Sequence, residues 1–101
     1  MMTRRQHVDA LCRILEARLA AAPPRLARRL LRPQVRWAAN RPDDDELAKR
    51  LGVIALVEEC RNEHLATLDA DDGLGALDIP WSEVAVAFEL TQRVSERRTH
   101  G

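Results

Sequence analysis

Apolar side chains recur at intervals of three and four residues through most of this chain, the period of a helix that buries one face. Val8, Leu11, Cys12, Leu15 and Leu19 make the first such stripe. Thr3 and Gln6 ahead of it have the spacing of a capping box, in which each side chain satisfies an amide of the other's turn. Pro23 and Pro24 end the pattern, so a helix is predicted over about 4–21. Leu26, Leu30, Leu31, Val35 and Trp37 supply a second stripe over about 24–40. Pro33 lies inside that stretch and predicts a kink or a division into two short helices, because proline removes an amide donor and crowds the preceding turn.

A third pattern starts at Asp43-Asp44-Asp45-Glu46, where four carboxylates suit the positive end of a helix dipole and Asp43 with Glu46 offers a second capping box. Leu47, Leu51, Ile54, Val57, Leu65 and Leu68 follow on one side, and residues 53–57 are apolar all round, as in a segment buried at the centre of a fold. A continuous helix over about 44–68 would be roughly 40 Å long, more than so small a domain spans, so it must break, protrude or be covered by a partner, and the sequence leaves open whether Gly52 interrupts it. Residues 69–78, with two glycines and four aspartates, read as a loop. A last helix over about 80–97 has Trp81, Val84, Ala85 and Phe88 on one face and Ala87, Leu90 and Val94 on a second. The expectation is an all-α fold: one domain over residues 1–101, a small bundle of four main helices, with a frayed tail from about residue 98.

Composition strengthens that reading. Ala (15) and Leu (14) dominate the apolar residues, Tyr is absent, and β-branched residues are scarce, which disfavours a sheet. No run of about 20 apolar residues is present to span a membrane. No apolar segment follows Arg4 and Arg5, so a signal peptide is not expected and the cytoplasm is the predicted compartment.

Charge changes the picture most. Residues 1–42 carry ten Arg against Asp9 and Glu16, whereas residues 43–101 carry six basic and fourteen acidic residues. The total is zero, but the halves are +8 and −8. Arg25, Arg28, Arg29, Arg32, Arg36 and Arg41 lie in a stretch without a carboxylate and are the candidate partner- or phosphate-binding residues. Guanidinium groups fit carboxylates and phosphates alike. The competing arrangement packs the basic helices beside the acidic ones, so that these charges pair at the rim of the bundle.

Residues 45–53 resemble the first helix and turn of a helix-turn-helix, with Ala48 at the close approach and Gly52 in the turn. The second half departs from it, since Glu58 and Arg61 fall where core residues belong. Asp78-Ile79-Pro80-Trp81, with Arg93 and, after six intervening residues, His100, resembles the end of a HEPN-type ribonuclease. That resemblance implies metal-free RNA cleavage by the Arg and the His. Val94 stands where the family has a polar residue.

Cys60 and His64 are four apart, a spacing that can hold Zn²⁺, yet His7 and Cys12 point in different directions and complete no ligand set. Asp69, Asp71, Asp72 and Asp78 lack the glycine and the terminal Glu of a calcium loop. Two cysteines are too few for a disulfide scaffold. No metal or cofactor is expected, and no catalytic constellation stands out. The expected function is a non-catalytic interaction protein (adaptor, inhibitor or accessory subunit) that meets an acidic patch on a larger protein through its arginines. The alternative is a nucleic-acid-binding regulator using the same residues. Self-association as a homodimer through the 44–68 helix stands open beside both.

Overall fold

A computed structural model describes the backbone of residues 1–26 and 30–100. The elements among them are helices: α1 (Arg4–Ala21), α2 (Pro24–Leu26), α3 (Arg32–Asn40), α4 (Asp45–Arg50), α5 (Val53–Leu65), α6 (Ala70–Leu77) and α7 (Trp81–His100). The division into four main helices does not hold, and each departure has a local cause. None of the described helices is long and apolar enough to cross a membrane.

α1 starts and stops where the sequence predicts. Thr3 Oγ1 accepts from the Gln6 amide at 3.2 Å, and Gln6 Oε1 accepts from the Thr3 amide at 2.8 Å, completing the capping box. Its buried stripe is His7, Val8, Leu11, Leu15 and Leu19, with Cys12 half-buried beside it. Burying one such leucine contributes about 1.5–3 kcal/mol.

Of the kink or two short helices expected around Pro33, the described residues form two short helices, α2 and α3, and Pro33 is at a helix start rather than a kink. Pro33 falls in the first turn of α3, where no amide donor is needed. Val35 and Ala38 are buried there, Leu31 and Trp37 are half-buried, and Leu30 is exposed. The expected 44–68 helix is two elements. Gly52 adopts φ +78°, and its amide donates back to the Lys49 carbonyl at 3.0 Å while its own carbonyl caps α5. An L residue resists that left-handed geometry, which glycine accepts freely. The break re-aims α5, whose buried face is Val53, Val57, Cys60 and His64 rather than a continuation of Leu47 and Leu51. The cap of α4 is Asp44, one residue after the one expected, accepting from the Leu47 amide at 3.2 Å.

Residues 70–77, expected as loop, form α6. Asp69 caps it through the Asp72 amide at 2.8 Å, and Asp71 and Asp72 sit in its first turn, where the dipole favours them. Its glycines allow close packing: a Cβ at Gly75 would lie 3.0 Å from His7 Nε2. At the other end, Arg61 donates to the carbonyls of Leu77 and Ile79, which the helix itself leaves open. α7 continues to His100, beyond the end expected near residue 97.

α5 contacts α1, α3, α4, α6 and α7, so the apolar middle of the sequence does sit centrally. α7 lies across α1, α3 and α5. Trp81 and Phe88 are buried, and the Trp81 indole donates to Asp45 Oδ1 at 2.9 Å, tying the starts of α7 and α4 together.

Candidate functional site

The predicted arginines separate into distinct environments. Arg25 is exposed on α2. Arg28 and Arg29 lie outside the described residues or have side chains that do. Arg41 stacks over Trp37, with its guanidinium carbon 5.3 Å from the ring centre. Arg32 and Arg36 share one face of α3 and meet α7.

Arg32 Nη2 donates to Glu16 Oε1 at 2.9 Å, and its Nη1 donates to Gln92 Oε1 at 3.4 Å. Gln92 Nε2 in turn donates to Glu16 Oε2 at 2.9 Å, which closes a three-residue ring across α1, α3 and α7. Arg36 sits 3.1 Å from Glu89 through Nε and donates through Nη2 to Glu96 at 3.2 Å. Glu89 is the unusual member: its side chain is only 7% exposed, whereas those of Arg36 and Glu96 are more than half exposed. Arg93 also donates to Glu89, at 3.1 Å, so two guanidiniums neutralise one buried carboxylate.

These pairs line a cleft of about 410 Å³ between α3 and α7, bounded by Arg32, Arg36, Trp37, Phe88, Glu89 and Glu96. Its walls are ion pairs and its floor is aromatic. The exposed pairs are worth about 0–1 kcal/mol each, because both ends remain hydrated and ordering the long side chains costs entropy. Arg36–Glu96 can therefore open at little cost, while Glu89 keeps Arg36 in place and the part-buried Arg32–Glu16 contact is braced by Gln92.

The remaining candidate residues have structural partners. On α5 the outward residues include Glu58, Glu59 and Glu63. Glu59 and Glu63 accept from Arg18 at 3.2 and 3.0 Å. An acidic outer face of this kind repels phosphate, unlike the recognition helix of a helix-turn-helix. Arg93 donates to Asn40 as well as Glu89, and the ribonuclease-like pairing of Arg93 with His100 falls on a side chain outside the described residues. Asp72 accepts from the Met2 amide at 2.9 Å, and Asp78 lies 3.5 Å from Arg4.

Burial pushes the Cys12 thiol up to about 12 and the Cys60 thiol up to about 11, so both are protonated at neutral pH and poor nucleophiles. Among the described residues no three His, Cys, Asp or Glu side chains converge as a metal site.

The sequence reading missed one polar contact altogether. His64 pairs with His7, not with Cys60: His7 Nδ1 and His64 Nε2 are 2.9 Å apart with both residues buried. The signal was present in the helical register. His7 precedes Leu11 and Leu15 at four-residue steps, and His64 follows Cys60 and Val57 on the buried face of α5.

Comparison with family models, with characterised proteins and with solved structures finds no match to the chain.

Proposed function

We propose that this protein is a small non-catalytic interaction protein, an adaptor, inhibitor or accessory subunit, that receives an acidic segment of a larger protein in the α3–α7 cleft. The observation that carries the reading is the pairing of Arg32 and Arg36 with exposed, exchangeable carboxylates beside Trp37 and Phe88. A partner carboxylate replaces Glu16 on Arg32 or Glu96 on Arg36, with one charge-assisted bond exchanged for another. The aromatic floor supplies the apolar contact that gives such an interface its affinity. Phosphate would make the same exchange, so the salt dependence of any nucleic-acid binding is what separates the two ligands.

The test is capture of interacting proteins from host extract with the unaltered chain, Arg32→Glu, and the charge-swapped pair Arg32→Glu with Glu16→Arg. The swap keeps the internal ion pair and reverses only what the surface presents. The expected outcome is loss of the captured protein with both variants, at unchanged helical circular dichroism. Undiminished capture by both overturns the reading. So does tight binding to duplex or single-stranded nucleic acid that weakens steeply with salt.

A further inference from the structure

α7 has two faces, and the fold uses one. Trp81, Val84, Ala85 and Phe88 are buried against the rest of the chain. On the opposite side Leu90 is 57% exposed, Val94 is 50% exposed, and Val86 and Ala87 are only half covered. The 44–68 stretch, the segment first considered for self-association, directs Val53, Val57 and Cys60 inward instead. Leu74 and Leu77 of α6 are exposed as well, but the apolar stripe that runs along a long helix belongs to α7.

We infer that this face binds a second copy of the same chain, with the two α7 helices antiparallel and crossing at Leu90. The argument is the symmetry of the sequence on that face. Glu83, Val86, Leu90, Val94 and Arg97 are spaced three, four, four and three residues apart, a helical stripe that reads the same from either end in size and inverts in charge. Turned about Leu90, Val86 meets Val94 of the second copy, and Val94 meets Val86. Glu83 and Arg97 are each seven residues from Leu90, about 10 Å along the axis, so each meets its opposite charge. A two-fold contact requires a surface complementary to itself in this way. A parallel pair would set Glu83 on Glu83 and Arg97 on Arg97, and a foreign protein has no need of a palindrome.

Arg4 of the same chain already holds Glu83 at both oxygens, Nε donating to Oε1 at 3.2 Å and Nη2 lying 3.0 Å from Oε2, so Arg97 of the second copy shares the carboxylate with Arg4 through a remaining lone pair. Antiparallel alignment also sets the helix dipoles in their favourable sense. The stripe covers a single helix face, below the roughly 800 Å² per partner of a standard stable interface, so the dimer forms at high concentration and exchanges readily. This inference does not depend on the α3–α7 cleft, whose α7 residues Phe88, Glu89 and Glu96 lie on the other side of the helix.

Sedimentation equilibrium from micromolar to millimolar protein tests it. The expected mass rises from that of the 11.4 kDa chain toward twice that value, and Leu90→Glu stays monomeric throughout with unchanged circular dichroism. Cysteine substitution then reads the register. Under mild oxidation Leu90→Cys links to itself, whereas Val94→Cys links to Val86→Cys in a mixture but not to itself. The unsubstituted chain, with Cys12 and Cys60, serves as the control. A monomer at every concentration overturns the inference and leaves the face to a different partner. A dimer that survives Leu90→Glu, or one in which Val94→Cys links to itself, overturns it equally.

Discussion

At the contact of His7 with His64 two imidazoles share one hydrogen between Nδ1 and Nε2 in a site with almost no access to water. The shared hydrogen requires one ring to donate and the other to accept, so at least one of the two imidazoles is neutral in this contact. His7 Nε2 is buried without a hydrogen-bond partner among the described residues, close enough to Gly75 that a Cβ there would lie 3.0 Å away. Burial, and secondarily the charge of His7, pulls His64 below its usual value near 6.5. In the unfolded chain that depression is absent. The unfolded state thus takes up a proton first as the pH falls, and stability declines with it. The contribution of neutral His64 is complete above about pH 6.5 and is lost progressively below it, toward the lower value in the folded state. Thermal unfolding between pH 7.5 and 5 should show a midpoint that falls with acidification (about half a unit per step resolves it). The double variant His7→Leu with His64→Leu should flatten that dependence, and an unaltered slope in it would place the titrating group elsewhere.

Gly52 decides how the central segment is divided. With φ at +78° it ends α4 and begins α5 in a single residue. Nothing lies within 4 Å of where its Cβ would be, so a substitution there is opposed by backbone conformation and not by crowding. Gly52→Ala is expected to cost about 1–2 kcal/mol in urea unfolding, the left-handed penalty of an L residue. A stabilised variant would mean that the uninterrupted helix was available after all. The sequence made this position conspicuous but could not show the outcome, because one glycine in an apolar helical pattern either is tolerated or breaks the helix, according to tertiary packing. The same ambiguity hid α6. Gly73 and Gly75 resemble turn residues until the helix is seen against Leu65 and His7: a Cβ at Gly73 would meet Leu65 at an ordinary 3.5 Å, while one at Gly75 would press on His7 at 3.0 Å. By contrast α1 was legible to its ends, since the Thr3–Gln6 box and the paired prolines act within a few residues of themselves. The cleft was half legible: Arg32 and Arg36 stood out from their bare surroundings, while Glu16, Glu89 and Glu96 are distant in sequence and come to them only through the packing of α3 and α1 on α7.

Across the whole molecule the +8 and −8 halves fold onto one another. Arg4 reaches Asp78 and Glu83, Arg18 reaches Glu59 and Glu63, and Arg36 reaches Glu89 and Glu96, each pair joining the basic stretch to the acidic one. Such segregation looks, along the chain, like a strong electrostatic contribution to stability. Exposure says otherwise. Apart from Glu89, the carboxylates in these pairs retain much of their access to water, where each contact contributes about 0–1 kcal/mol and salt screens it. Raising sodium chloride from low concentration to 1 M should therefore lower the unfolding free energy by no more than about 2 kcal/mol, despite the number of pairs. Glu89 behaves differently because it is nearly dry and holds two arginines. Glu89→Ala removes charge-assisted bonds that join α3 to α7 and should cost about 1.5–3 kcal/mol, while Glu96→Ala, on the same helix and against the same Arg36, stays within about 0.5 kcal/mol. Urea denaturation of the two variants at low and high salt separates these expectations. If both substitutions cost the same, or if high salt abolishes the difference between them, Glu89 is one more surface charge and the rim of the cleft has no fixed point on which exchangeable pairs can turn.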